Sequence, residues 1–251
     1  IAGPTGCGKT TVLYSALGHI NGPERKMMTV EDPVEYHIPG TVQIRVNPHE
    51  GMGFARAIRA VLRSDPDVVV VSEISDLETL GLCCQMALTG HLVLTTLHTE
   101  SAAGVPRRMV DMGLPAFLAG NTMRLITAQR LVRTLCPTCS EETRLRKAET
   151  ALAQELLAQS GVTLAELPKG FRRPVGCAQC GGQGFRGRKL VCEMIEVSET
   201  VARAIRQDQP VAELTRIAVM EGMTPMAANG VRRASLGQTT LEEVARILAL
   251  R

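Results

Sequence analysis

The feature that most constrains this chain stands at its start, where Gly3-Pro4-Thr5-Gly6-Cys7-Gly8-Lys9-Thr10 fits the pattern G-x-x-x-x-G-K-[ST] without a mismatch. Glycines at these places let backbone amides converge on phosphate oxygens, the lysine reaches the β- and γ-oxygens, and the threonine hydroxyl is a magnesium ligand. The motif needs a helix directly after it, and residues 9–19 read as that helix. Gly3 to Thr10, with Thr11 in the first turn, are therefore the candidate nucleotide-binding residues, with ATP and Mg2+ as ligands and Thr10 on the metal. Cys7 falls where only backbone is needed, so its side chain is tolerated rather than used. A phosphate loop follows a buried strand, and only Ile1 and Ala2 stand ahead of this one; the chain reads as a fragment.

The rest of the first half alternates strand-like and helix-like segments. Met27–Val30 and Thr41–Val46 read as strands, the latter as strand or hairpin, and Phe54–Arg63 places Phe54, Ala57, Ile58, Val61 and Leu62 at helical spacing. Val68–Val71 is a run of four β-branched residues, which suits a strand buried on both faces of a parallel sheet. It ends in Ser72-Glu73, the form of a second nucleotide motif in which a buried strand delivers an acid beside the phosphates. Residues 79–99 carry no Asp, Glu, Lys or Arg, yet Thr89-Gly90-His91 divides them into a helix, Leu77–Leu88, and a strand, Leu92–Thr96, rather than a membrane span. Such alternation predicts an α/β sheet with helices on both sides. With 4 Phe, 2 Tyr and no Trp the core must be aliphatic, and binding by aromatic stacking is disfavoured. Twenty-eight basic against 25 acidic residues leave +3, too small a surplus to point to nucleic acid.

Past Leu135 the texture changes. Cys136-x-x-Cys139 and Cys177-x-x-Cys180 form two pairs, and with no export signal in view such pairs read as metal before disulfide. Four thiolates, with turns supplied by Pro137 and Gly181-Gly182, suit tetrahedral zinc in a structural role, since four sulfurs leave no position for water. Between the pairs, residues 141–160 read as a helix; residues 181–188 read as irregular because glycine dominates. The tail from Ser198 reads as short helices, with Ser198 an N-cap and Thr240 with Glu243 a capping-box pattern.

Further stretches make a resemblance. Thr29-Val30-Glu31-Asp32-Pro33-Val34-Glu35-Tyr36 is similar to the acidic box of the secretion ATPases that power type II secretion and type IV pilus assembly. Leu62-Arg63-Ser64-Asp65-Pro66-Asp67 then leads into the second nucleotide motif, and Leu88-Thr89-Gly90-His91 runs on to Thr95-Thr96-Leu97-His98-Thr99, which looks like the histidine box of that family. Ala128-Gln129-Arg130-Leu131-Val132-Arg133 precedes the first cysteine pair, and Gly184-Phe185-Arg186-Gly187-Arg188 follows the second. The resemblance implies a RecA-like P-loop NTPase core, residues 1–134, a tetracysteine zinc subdomain, residues 135–190, and a C-terminal strand and helices, residues 191–251. It further implies a homo-hexameric motor at the cytoplasmic face of the inner membrane, with no membrane span of its own, working on inner-membrane secretion or pilus platform proteins. Carried over residue by residue, Glu73 is the acid of the second motif, and Glu35, His91 and His98 fall at family active-site positions.

The departures matter too. The family's glycine before the acid is Ser72 here, and its Glu-Ile-Arg-Asp is Glu73-Ile74-Ser75-Asp76, which removes an arginine whose charge serine cannot replace. Cys83-Cys84 stands where ordinary helix residues are usual. These changes keep open a second reading, a nucleotide-binding assembly module with little hydrolysis; a third is a conjugation or DNA-transport ATPase with the same core.

Overall fold

A computed structural model describes residues 1–47, 51–158 and 160–248. The strands β1 (Met27–Glu31), β2 (Thr41–Arg45), β3 (Val68–Val71) and β4 (Leu92–Thr95) form a parallel sheet in the order β2-β1-β3-β4. β3 lies between two neighbours and all four of its valines are buried, as its unbroken β-branched run predicts. The segment ahead of the glycine loop joins the same layer. Ala2 bridges Leu97 in parallel, just past β4, and the Ala2 amide donates to Thr127 O at 2.6 Å.

Helix α1 (Lys9–Ile20) follows the loop and buries Leu13, Tyr14 and Leu17 against Met27, Val68 and Val70. α2 (Phe54–Leu62) and α3 (Leu77–Leu88) follow β2 and β3, so every parallel crossover carries a helix except the short one between β1 and β2. The uncharged run 79–99 is α3 and then β4, and no described helix is long and apolar enough to cross a membrane. α3 is capped by Asp76, whose carboxylate accepts from the Thr79 amide at 2.8 Å and the Thr79 hydroxyl at 2.9 Å. α4 (Gly104–Asp111), α5 (Ala116–Thr122) and α7 (Glu199–Arg206) complete this region, with Ser198 capping α7 as expected. α5 meets α7 so closely that a Cβ on Gly120 would stand 2.7 Å from Ala202 O.

The chain divides into two compact units, Ile1–Thr127 with Ile195–Ala218, and Ala128–Met194 with Val219–Arg251. In the second, β5 (Leu125–Leu135) pairs with β8 (Phe185–Glu196), and β6 (Glu141–Glu142) pairs antiparallel with β7 (Arg172–Arg173). Its core is aliphatic apart from Phe171: Ala153, Leu156 and Leu157 of α6 (Lys147–Leu157) pack with Val231 and Ala234 of α9 (Met226–Ser235) and Leu241 and Val244 of α10 (Leu241–Ile247). α8 (Val211–Met220) lies between α7 and α9 in sequence.

Three expectations are corrected. The helix expected over 141–160 begins only at Lys147, because Glu141-Glu142 is drawn into pairing with Arg172-Arg173, reinforced by an Arg173–Glu141 ion pair at 2.8 Å; Gln159 lies outside the described residues. The stretch 181–188 is irregular only as far as Gly184. From Phe185 it is strand, since pairing with β5 overrides the poor strand propensity of Gly187. The Thr240 cap forms, accepting from the Glu243 amide at 3.3 Å, but the Glu243 side chain turns away to Arg133 (2.5 Å) and Arg246 (2.8 Å).

Candidate functional site

The loop Gly3–Gly8 bends on glycines at φ 148° (Gly3), 76° (Gly6) and 91° (Gly8), values that side-chain-bearing residues avoid. Lys9 Nζ folds back over it, donating to Gly3 O at 2.9 Å and Pro4 O at 3.2 Å. No side chain caps α1, and the Val12 amide makes the helical bond to Gly8 O at 3.1 Å, so the N-terminus of α1 opens toward the loop. Thr5, Gly6 and Thr11 are exposed, Lys9 and Thr10 half-buried, and Cys7 is buried, consistent with a packing role for its thiol.

Three of the four expected polar residues collect at the edge of the sheet where the loop stands. Gly3 N donates to Leu97 O at 3.3 Å and Leu97 N to Ile1 O at 3.0 Å, so His98, the next residue, follows a position bonded to the loop's own first glycine. Glu73 leaves the carboxyl end of β3, held on both sides by Thr96: the Thr96 hydroxyl donates to Ser72 O at 2.7 Å, and Ile74 N donates to Thr96 O at 3.2 Å. Glu35 lies in the loop that leaves the carboxyl end of β1. The carboxylates of Glu73 and Glu35 and the His98 ring are exposed at that edge. His91 does not join them. It precedes β4, at the opposite edge of the sheet, and its Nδ1 donates to Met86 O at 3.0 Å, which closes the turn after α3. A strand of this length separates its ends by roughly 13 Å.

The cysteine quartet is assembled. Cys139–Cys180 and Cys177–Cys180 sulfurs stand 3.8 Å apart and Cys136–Cys177 4.0 Å apart, and all four lie within 4.8 Å of one another. A tetrahedron with metal–sulfur bonds of about 2.3 Å has edges of about 3.8 Å, so the donor set fits zinc in type and spacing. Backbone amides aim at the sulfurs: Gly176 N at Cys139 (3.3 Å), and Cys177 N and Gly184 N at Cys180 (3.2 Å each). The amides of Cys177 and Gly184 bring the Cys180 thiol down to about 6, and the Thr138 amide lowers Cys136, whereas burial pushes Cys139 up to about 11. Gly176, at φ 113°, admits the close turn: a Cβ there would meet Gly182 O at 2.5 Å.

The family model described as Type II/IV secretion system protein matches residues 1–246. The chain belongs to this family. It is 45% identical over 247 residues to Type II secretion system protein E of Pseudomonas aeruginosa, covering 98% of this chain and 47% of that protein. It is 42% identical over 246 residues to the type IV pilus assembly ATPase PilB of Thermus thermophilus, covering 97% of this chain and 27% of PilB. The crystal structure of the pilus retraction motor PilT with bound ADP is similar with a TM-score of 0.70 at 25% identity, covering 98% of this chain and 59% of PilT. The chain thus spans about half the length, or less, of the curated relatives it matches.

Set against the family's usual Gly-Glu, Ser72 has a structural cost: its hydroxyl is buried without a hydrogen-bond partner among the described residues. Two residues that sequence reasoning passed over, Tyr14 and Glu31, form a buried polar pair between α1 and β1. Glu31, in the acidic box, is buried and accepts from Tyr14, Thr29 and Gln43 (3.1 Å). The signal available was Tyr14 itself, a rare aromatic on the buried face of α1. Of the basic residues, Arg59, Arg107 and Arg133 are spent on Glu78, on Asp111 and Asp208, and on Glu243 within this chain.

Proposed function

We propose that this chain is the ATP-hydrolysing part of a RecA-like motor subunit of a secretion or pilus-assembly system. The observation that carries the reading is the Gly3–Thr10 loop opening α1 beside the strand ends that deliver Glu73 and His98. The sheet order supports it, because β4 separates the strand ahead of the loop from the acid-bearing β3, and an acid one strand removed leaves room for phosphate and water between them.

Loop amides and the α1 N-terminus bind the phosphates, Lys9 exchanges its loop carbonyls for β- and γ-oxygens, and the Thr10 hydroxyl holds magnesium. Magnesium, when bound, neutralises charge on the transferring phosphate. Glu73 orients the attacking water and takes its proton, Glu35 supplies a second carboxylate, and His98 polarises the γ-phosphate. His91 has a structural place, closing the turn from α3 to β4. The quartet Cys136, Cys139, Cys177 and Cys180 holds zinc and anchors the second unit. That the matched relatives include a type II secretion system ATPase E and a type IV pilus assembly ATPase supports a role in type II secretion or pilus assembly; in that role the subunit works as a homo-hexamer at the cytoplasmic face of the inner membrane with platform proteins there, as the resemblance in sequence implies.

In the full-length protein, Glu73→Gln is expected to keep ATP affinity within about threefold and to lower phosphate release by a hundredfold or more, the range of a lost base and water-positioning group. Turnover at the wild-type rate would remove the assignment of Glu73; no turnover in the wild type at saturating ATP would favour the passive assembly module.

A further inference from the structure

Tyr14 lies five residues beyond Lys9 on α1, on the helix that begins at the phosphate loop. It is buried, and its ring meets that of Tyr36 edge to face, with centroids 4.4 Å apart. Its hydroxyl donates to Glu31 Oε2 and accepts from the Glu35 amide at 3.2 Å. Glu31 closes β1, and its other oxygen is held by Thr29 and by Gln43 Nε2. Gln43, on β2, also donates to Tyr36 O at 3.2 Å and accepts from Ile38 N at 2.8 Å. The Glu35-bearing loop therefore hangs from backbone points at Glu35, Tyr36 and Ile38. Among the described residues, Tyr14 holds it from within α1, while Asn21, which caps the far end of that helix, donates to Pro39 O at 2.7 Å. Burial and the neighbouring Glu31 push the Tyr14 hydroxyl up to about 12, so it stays protonated and able to donate.

We propose that Tyr14 is a positioning residue, tying the acidic loop to the phosphate-binding helix so that Glu35 is set in place by α1 rather than by its own exposed loop. The proposal rests on the reading of Glu35 as a site carboxylate. Removing the hydroxyl leaves a Glu31 oxygen and the Glu35 amide without their shared partner, while phenylalanine preserves the ring contact with Tyr36.

The test is Tyr14→Phe in the full-length protein, alone and combined with Glu35→Gln. Expected are a kcat about tenfold lower with the KM for ATP within twofold, no further loss when the substitution is added to Glu35→Gln, and amide exchange over residues 34–38 about fivefold faster, the signature of one lost hydrogen bond. Gln43→Leu reads the same loop from β2 and is expected to speed exchange there too without touching α1. Wild-type kcat in Tyr14→Phe, a full additional loss on the Glu35→Gln background, or unchanged exchange in the loop would each overturn the proposal. Wild-type turnover in Glu35→Gln alone would overturn the site reading and the positioning role with it; faster exchange in Tyr14→Phe would then distinguish that failure from a hydroxyl that holds nothing.

Discussion

The phosphate-loop edge of the first unit and the cysteine knuckle of the second are built in opposite ways. At the loop, neighbours in sequence do the work. Eight consecutive residues set the backbone, the parallel sheet presents Glu73 and His98 from adjacent strand ends, and both side chains stay exposed, as the proposed reading requires. At the knuckle, two pairs with 37 residues between them are brought within contact, their sulfurs are half-buried or buried, and the segment between them finds its core on α9 and α10 from the far end of the chain. The difference teaches that a site for a passing ligand can be local and open, while a site that closes a long excursion must recruit distant apolar surface to offset the entropy of ordering it.

The largest expected effect separates the two directly. Stripping zinc, or Cys180→Ser, should reduce metal content from about one equivalent per chain to none and abolish the cooperative unfolding of the second unit, since a structural zinc site contributes on the order of 10 kcal/mol. ATP affinity should change by less than about fivefold, because the loop and α1 lie in the other unit. A metal-free wild type that melts as before would break the comparison. So would loss of nucleotide binding along with the metal.

An intermediate effect is expected in acid. Burial alone would raise the Glu243 carboxyl, but hydrogen bonds from Arg133 and Arg246 outweigh it and hold it at about 2 against an ordinary value of 4.5. A depressed folded-state pKa stabilises above the unfolded value and loses that stabilisation as pH falls through the folded one. The second unit should therefore lose up to about 3 kcal/mol between roughly pH 4.5 and pH 2. Glu243→Gln should flatten that part of a denaturation-against-pH series while lowering stability at neutral pH. An unaltered slope would show that the Arg133–Glu243–Arg246 cluster adds nothing.

The smallest effect sharpens the picture of the acid strand. Ser72→Ala removes the unpartnered hydroxyl and is expected to stabilise by about 1 kcal/mol, a rise of about 2–4 °C in melting temperature. A fall instead would mean that the hydroxyl has a partner in the working protein.

Much of the first unit was legible along the chain. α1, α3 and β3 follow patterns carried by contiguous residues: the loop motif, the uncharged run divided by Thr89-Gly90-His91, and four valines in a row. What escaped was set by partners far away. Glu141-Glu142 and Phe185–Arg188 are strands because Arg172-Arg173 and β5 lie beside them, and no local propensity signals that. His91 and His98 look equivalent in a histidine box, yet one strand between them sends them to opposite edges of the sheet. Tyr14 and Glu31, 17 residues apart, carry no motif linking them until β1 is laid beside α1.

By itself, then, the sequence determined the α/β core, the glycine loop ahead of α1, the metal-ready cysteine spacing and the family. These are written in short, contiguous runs whose backbone demands only a few residue types can meet. The tertiary structure alone decided which of the polar residues share an edge with the loop, that the cysteine excursion is buttressed by the tail helices, and that a buried tyrosine links the nucleotide helix to the acidic loop. Those are pairings between segments distant in sequence, fixed by the register of the sheet and the packing of cores, and no single stretch of chain contains the information.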